Sequence, residues 1–281
     1  MKILFVICEG PHDAQFVSRL LQESQNYQIY GKQIRDFPQP LNKFFSGKFE
    51  NRSIQDIRIG KPDFPLIPIC ALKNIDSENL VLPIAIGGMD KFHEAINLLN
   101  EFSEYFAYDT LDVTASLIKG YSVLFLFDAD SRGKDDTVDK FKIRFGPYSA
   151  EITPEVLEKW IPINNHGLSL FIFTGDDGVT GTLEDLILEL FRKSSHAHVG
   201  DTESHFGIYF EACAAEGDPV THASKQKKGV LTACGQMEKR NAGSALSVII
   251  RDTVLLQNAF DFSDSTNQWS RLLLLINKSF E

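Results

Sequence analysis

Acidic side chains follow three apolar segments of this sequence, at the points where those segments end. The acids are Glu9 after residues 3–8, Asp128 and Asp130 after residues 121–127, and Glu184 and Asp185 shortly after residues 168–173. If the segments form parallel strands, their carboxyl ends share one edge of a sheet, where ligands bind. Carboxylates gathered there repel one another unless a divalent cation lies among them. The residue types therefore predict a Mg²⁺ site, with Mn²⁺ as a substitute, because Mg²⁺ prefers a few carboxylates and keeps several waters.

Some acids near these strand ends have simpler explanations. Asp176 and Asp177 precede a glycine, and an ordinary turn explains them better than metal ligation. Glu184 and Asp185 also fit the first turn of a helix, where the helix dipole favours negative charge. For this second pair both interpretations stay open.

The histidines and cysteines do not form a metal-binding pattern. His196, His198 and His205 lack a firm zinc spacing, and their Ser, Gly and Thr neighbours indicate a loop. The cysteines are scattered at Cys8, Cys70, Cys213 and Cys234. Cys8 and Cys70 lie in apolar runs, which predicts reduced core cysteines of a cytoplasmic protein.

The elements that position the acidic residues alternate between strands and helices. Strands are predicted over residues 3–8, 82–86, 122–127 and 168–173, and helices from Asp13 onward and over residues 90–106, 154–158 and 182–192. Residues 132–142 read as an exposed charged stretch. This alternation predicts an α/β fold with right-handed crossovers, a mainly parallel central sheet and helices on both faces.

Two regions depart from the alternation. Residues 31–80 contain many prolines and aromatics without periodicity, which predicts an insertion or a small irregular subdomain with its own small aromatic core. Residues 203–281 are helical in pattern, with segments at 206–215, 229–237, 245–256 and 268–280. We therefore expect a single α/β domain over residues 1–281 with an insertion and a helical C-terminal extension.

Composition limits the class of protein. A mean hydropathy of −0.13 and a hydrophobic share of 43% are typical of a soluble globular chain. No apolar run approaches the roughly 18–20 residues that cross a bilayer, so no membrane contact is expected. The N-terminus lacks a signal-peptide pattern, which favours a cytoplasmic location. Oligomeric state leaves no trace in the sequence.

The net charge of −10 weakens a nucleic-acid interpretation without removing it. Non-specific nucleic-acid binding depends mainly on phosphate neutralisation by basic groups. Positive charge nevertheless gathers locally, in residues 32–61 and again in a later group at Lys225, Lys227, Lys228, Lys239, Arg240 and Arg251. Much of the negative excess lies at the candidate metal edge, where a cation would offset it.

The order of these acidic motifs resembles the Toprim domain family. In that family an invariant glutamate closes the first strand and an Asp-x-Asp motif closes the third. The matching residues here are Glu9 with Gly10 and Asp13, then Gly87 and Gly88 after the second strand, then Asp128 and Asp130. The resemblance covers about residues 1–20 and 80–235, and it implies a Toprim-like Rossmannoid fold.

Residues 181–185 resemble a further acidic motif of one Toprim branch, the overcoming-lysogenization-defect (OLD) nucleases and related small stand-alone proteins. In that branch a lysine follows downstream, and Lys225, Lys227 and Lys228 occupy a comparable place. The chain lacks the ATP-binding glycine-lysine loop of full-length OLD proteins, the gate domains of topoisomerases and the zinc cysteines of bacterial primases. A separate ATPase partner protein is therefore considered.

The resemblance implies a Mg²⁺-dependent phosphodiesterase, a nuclease or nicking enzyme acting on DNA or RNA. Asp128 and Asp130 would ligate the ion, and Glu9 would be a ligand or general base. Glu184 and Asp185 would hold a second ion, and one of the three lysines would stabilise the transition state. The alternatives are a non-catalytic Toprim-fold partner of another enzyme, and a phosphatase with Asp128 as nucleophile and Asp130 as acid.

Overall fold

The computed structural model describes residues 1–46, 66–88, 91–111, 117–145, 157–163, 166–194, 198–213 and 219–281. The chain divides into two compact units. The first contains Met1–Phe127, Val138–Phe171 and Arg271–Glu281, and the second contains Asp128–Thr137 and Ile172–Ser270. The prediction of one domain over the whole chain stays a prediction. Most of the helix predicted over residues 154–158 lies outside the described residues.

A mixed sheet forms the centre of the first unit, with seven strands in the described part of the chain. The strands are β1 (Lys2–Cys8), β2 (Tyr27–Ile29), β3 (Leu72–Asn74), β4 (Leu80–Ala85), β5 (Gly120–Asp128), β6 (Ile161–Ile163) and β7 (His166–Phe173), in the order β2-β3-β4-β1-β5-β7-β6. Strand β1 pairs in parallel with both β4 and β5. The pairs β2–β3, β3–β4 and β6–β7 are antiparallel. The expected α/β fold with a mostly parallel core is therefore confirmed.

The helices follow the strands along the chain. They are α1 (Pro11–Glu23), α2 (Leu41–Phe44), α3 (Phe92–Leu111), α4 (Lys134–Phe145), α5 (Leu183–Lys193), α6 (His198–Cys213), α7 (Pro219–Gln236), α8 (Leu246–Asp252) and α9 (Gln268–Lys278). Helix α1 buries Phe16, Val17, Leu20 and Leu21, which recur at helical spacing. No helix among the described residues is long and apolar enough to cross a membrane.

Helix α4 corrects the expectation for residues 132–142. The charged stretch there forms a helix, and Phe141 and Phe145 are buried on its inner side. Their rings lie 5.0 and 5.1 Å from the ring of Phe125 on β5, and Phe92 of α3 joins the same cluster. The two buried aromatic residues are four positions apart and lie among many charged residues, so the helical periodicity of this segment is weak. Packing of their rings stabilises the helix despite that weak periodicity.

The region predicted as an insertion contributes β3 to the sheet, and β2 lies just before it in the chain. Strands β2 and β3 form the antiparallel edge beyond β4, and residues 47–65 lie outside the description. The aromatics of this region were expected to form a separate core. Phe44 packs against Phe45 of the same region, with ring centroids 4.9 Å apart, and also against Phe102 and Tyr105 of α3, at 5.2 and 5.7 Å. The aromatic packing therefore extends from this region to α3, and Phe49 and Phe64 are not among the described residues.

The second unit carries the helical region that follows β7. Helices α6, α7 and α8 confirm a helical C-terminal region, with α7 starting ten residues before the predicted segment at 229. A Cβ atom at Gly235 of α7 would overlap the side chain of Ile249 on α8, so the glycine lets these helices approach closely. Val230 and Leu231 of α7 are also buried. These helices set the surroundings of α5.

Candidate functional site

Glu9 lies directly after β1, in the first unit. Its backbone carbonyl accepts hydrogen bonds from the N–H groups of Gly87 and Gly88, at 3.0 and 2.8 Å. Both glycines have positive φ angles, of 80° and 117°, which other residues rarely adopt. The two glycines after β4 thus fix the backbone of Glu9 at the end of β1. This role is structural, and their assignment as secondary residues of the site stays a prediction.

Asp13 has a capping role beside Glu9 in the chain. Its carboxylate accepts a hydrogen bond from the backbone N–H of Gly10 at 2.7 Å, across the first turn of α1. Burial of the Cys8 thiol raises its pKa well above the usual range, and the charge of Asp13, whose side chain is also buried, raises it further. Cys8 is therefore held as a neutral thiol, as predicted for a core cysteine. Cys70 and Cys234 are likewise free and buried.

Asp128 ends β5 and lies in the second unit. One carboxylate oxygen, Oδ1, accepts a hydrogen bond from the backbone N–H of Leu183 at 2.8 Å. Leu183 is the first residue of α5, so Asp128 satisfies one of the N–H groups that a helix start leaves unpaired. The positive end of the helix dipole also favours the charged carboxylate. Asp128 and the motif at residues 181–185 are therefore in direct contact.

Asp130 is exposed and follows the strand in a left-handed backbone conformation, with φ 52°. Its backbone N–H donates to the carbonyl of Gly181 at 2.8 Å, and the N–H of Gly181 donates back at 2.9 Å. Gly181 has φ 119°, and a Cβ atom there would overlap the backbone of Gly175. This double bond fixes the Asp-x-Asp turn to the segment that leads into α5.

The acidic residues of α5 pair with lysines of α7. Lys227 Nζ lies 2.6 Å from Asp185 Oδ1, and Lys228 Nζ lies 3.5 Å from Glu184 Oε1. Glu184 is buried, with its side chain 6% exposed. Lys225, the third lysine of this group, is an exposed residue of the same helix. The structure thus brings together two predicted acids and two predicted lysines that are about forty residues apart in sequence.

Asp185 also caps α5. Its Oδ2 accepts a hydrogen bond from the backbone N–H of Thr182 at 2.9 Å, in a capping box with Thr182. The helix-start interpretation of this acid is therefore correct, and it holds together with the lysine contact. One carboxylate oxygen serves the helix, and the other serves Lys227.

The prediction for Asp177 is confirmed, and the prediction for two of the histidines is wrong. Asp177 forms the predicted turn: it accepts hydrogen bonds from Thr180 and from the N–H of Val179, and these lower the pKa of its carboxyl. The loop expected around the histidines is wrong for His198 and His205, which lie in α6. His196 is outside the described residues.

Sequence reasoning missed Arg192 and Glu203. Arg192 of α5 donates from Nη2 and Nε to the two carboxylate oxygens of Glu203 on α6, at 2.5 and 3.3 Å. The hydrogen bond to Glu203 raises the pKa of the Arg192 guanidinium. Opposite charges eleven positions apart on two helices leave no periodic signal in the sequence, so only the packing of α5 on α6 reveals the pair.

The carboxylate oxygens of the candidate ligands are of the type that Mg²⁺ prefers. Among the described residues, no group of three or more His, Cys, Asp or Glu side chains is arranged to hold a metal ion. Mg²⁺ is commonly bound through one or two carboxylates and several waters, so Asp128 and Asp130 are of a suitable residue type for such an ion. An ion at Glu184 or Asp185 has to compete with the paired lysines.

Comparisons with known proteins add little to this geometry. No protein-family model matches the chain, and no curated protein matches it. A crystal structure of a hypothetical protein from Pyrococcus horikoshii OT3 is similar, with 13% sequence identity and a TM-score of 0.45. The similarity covers 99% of this chain and 95% of that one.

Proposed function

We propose that the protein is a Mg²⁺-dependent phosphodiesterase of Toprim type, a cytoplasmic nuclease or nicking enzyme. The observation that carries the proposal is the pairing of the α5 acids with the α7 lysines, at 2.6 and 3.5 Å, where Asp128 contacts the start of α5. The resemblance to the OLD branch links the same two motifs. Clustered carboxylates with adjacent lysines are suited to a reaction at a phosphate group.

The candidate site residues have different roles in this proposal. Asp128 and Asp130 would hold the ion, which, when bound, stabilises negative charge on the phosphoryl oxygens. Lys227 and Lys228 neutralise charge that develops on the phosphate as the bond breaks. From the resemblance, Glu9 would be either a further ligand of the ion or the general base that takes a proton from the attacking water.

A cleavage assay with matched variants tests the proposal. Purified protein is incubated with end-labelled single- and double-stranded DNA and RNA, with Mg²⁺, with Mn²⁺ and with EDTA. We expect cleavage that needs the divalent ion and falls at least about 100-fold in Asp128→Asn, which keeps the acceptor for Leu183 but removes the charge. Asp177→Asn is the control, since Asp177 forms a turn after β7. Absence of cleavage under all conditions, or equal loss in both variants, contradicts the proposal.

A second candidate is a non-catalytic Toprim-fold partner of an ATPase or nucleic-acid enzyme. The lysine contacts of Glu184 and Asp185 favour it, because they already neutralise both carboxylates. In this case the protein is inactive alone and co-purifies with its partner from the source cells. Trapping of a phosphorylated Asp128 would instead support the phosphatase alternative.

A further inference from the structure

A cavity of about 250 Å³ lies in the second unit, beside the acid–lysine cluster that Glu184, Asp185, Lys227 and Lys228 form. It is lined by residues of α5, α6 and α7 and by the loop after β7. The polar lining residues are Asp176, Asp185, Arg192, Glu203, Gln226 and Lys227. Ligand sites for drug-sized molecules usually measure about 300–1,000 Å³, so this cavity suits a single ring system. Asp185 and Lys227 belong both to the cavity and to the cluster.

The charges of the cavity disfavour a small anion as its ligand. Three carboxylates face two cationic groups along its lining, which leaves one net negative charge. The mixture of donors and acceptors along the lining suits a polar ligand that carries groups of both kinds. The Arg192–Glu203 pair presents both kinds of group side by side. A guanidinium has five N–H donors, and the pair with Glu203 uses Nε and Nη2.

The apolar part of the cavity suits a flat ring. Leu188 of α5 and Val230 of α7 are buried residues that line it, together with Ala223. Aliphatic side chains can cover the face of a planar ring while the polar groups reach its edge. The carboxamide of Gln226 adds a further donor and acceptor.

We propose that this cavity binds one unstacked nucleobase of a single-stranded substrate, with guanine preferred. The proposal rests on the proposed function, because the cavity shares Asp185 and Lys227 with the cluster assigned to the phosphate. Guanine presents O6 and N7 acceptors, which arginine recognises, and its N1 and N2 groups donate to a carboxylate. The cavity supplies Arg192 and Glu203 as such a pair. Single strands expose base edges and faces for recognition of this kind.

Binding of short oligonucleotides without divalent ions tests the proposal. Two fluorescein-labelled DNA pentamers are used, all-thymine and the same strand with one central guanine, in EDTA so that neither is cleaved. We expect the guanine strand to bind about tenfold more tightly, the discrimination typical of a good bidentate base contact. Arg192→Met is expected to bring the ratio close to one. Equal affinity of the two strands for the native protein, or no binding of either, overturns the proposal.

Two further variants keep the test decisive. Arg251→Met is the control, because Arg251 is also an exposed arginine of the second unit and pairs with Asp252 outside the cavity; it should keep the tenfold ratio. Glu203→Gln retains an acceptor for Arg192 and is expected to lower the ratio at least about threefold. A ratio unchanged in both cavity variants overturns the proposal.

The outcome separates this inference from the proposed function. Divalent-dependent cleavage with no guanine preference removes only the base-binding site. Guanine preference without cleavage in Mg²⁺ or Mn²⁺ supports the base site and removes the phosphodiesterase assignment.

Discussion

Asp128 has a structural contact and, in the proposed function, a chemical role as well. Its Oδ1 atom accepts the N–H of Leu183 at the start of α5, and the same carboxylate is proposed to ligate a cation. The position of Asp128 directly after an apolar segment identifies it as a candidate in the sequence. The sequence does not reveal its contact with Leu183, since 55 residues separate the two along the chain.

The two tasks of Asp128 are separable by substitution. Asp128→Ala leaves the Leu183 N–H without this acceptor, and we expect the free energy of unfolding to fall by about 1 kcal/mol, as for loss of a helix cap. Asp128→Asn should cost less than half of that. Urea unfolding of the three proteins measures the difference, and equal destabilisation by both variants contradicts the structural role.

Lys227 is expected to matter more for activity than for stability. Its ion pair with Asp185 is partly exposed, with side chains 31% and 22% accessible, and such pairs contribute at most about 1 kcal/mol. Lys227→Met should therefore lower the free energy of unfolding by less than about 1 kcal/mol, yet reduce cleavage by about 100-fold. Parallel unfolding and cleavage measurements on Lys227→Met and Lys225→Met decide which lysine acts.

At the scale of elements, the segment between β7 and α5 is held by its glycines. Gly181 combines a positive φ angle with close approach to Gly175, and its backbone pairs with Asp130. Gly178 also has a positive φ, of 65°, but a Cβ atom there would meet open space. The same residue type therefore has different importance at two positions three residues apart.

Alanine substitution should separate these glycines. Gly178→Ala is expected to cost about 1 kcal/mol, the usual penalty for a left-handed conformation. Gly181→Ala adds overlap with the backbone and should cost more than about 3 kcal/mol. Thermal unfolding measures both. Equal costs would show that the turn at Gly181 rearranges freely.

His166, the first residue of β7, predicts a pH dependence. It stacks on Tyr121 of β5, with ring centroids 4.8 Å apart, and burial lowers the pKa of its imidazole below the usual 6.5. As the pH falls through 6.5, the unfolded chain binds a proton that the folded protein does not. The contribution of this group to stability is thus complete above that pH and is lost progressively below it.

A histidine variant isolates this effect. Between about pH 7.5 and 5, His166→Gln should lose less stability than the native protein, because its side chain does not titrate. Unfolding curves at several pH values give the comparison. An identical pH dependence of the two proteins would contradict the partial burial of His166.

Element prediction succeeded where apolar residues are continuous and failed where charges or prolines interrupt them. Strand β1 is recognisable because six successive buried residues end at a glutamate and a glycine. Helix α4 was hidden by its charges, and β2 and β3 are too short for a pattern of alternation. Edge strands of three residues form because the neighbouring strand offers hydrogen bonds, which is tertiary information.

At the scale of the whole molecule, the negative charge restricts how a nucleic acid can bind. With a net charge of −10, broad electrostatic attraction to a polyanion is unfavourable. Attachment then depends on a small number of local contacts. In the two proposals made above, the lysines of α7 contact phosphate and the cavity beside them contacts a base.

A small number of phosphate contacts predicts a shallow dependence of binding on salt concentration. If Lys227 and Lys228 neutralise two phosphates of a single strand, the logarithm of the association constant should fall with the logarithm of salt concentration with a slope of about −1.4. Lys227→Met should make the slope shallower by about 0.7. Titrations at several salt concentrations measure it. A slope steeper than about −4 would indicate an extended basic surface.

The central position of β1 has a consequence for folding. Ile3 of this strand pairs with Leu80 on one side and with Tyr121 on the other. During synthesis, the six buried residues of β1 therefore cannot complete their hydrogen bonds until both β4 and β5 have left the ribosome. Such distant parallel pairing is slow, and it leaves an apolar strand available to chaperones or to aggregation in the interval.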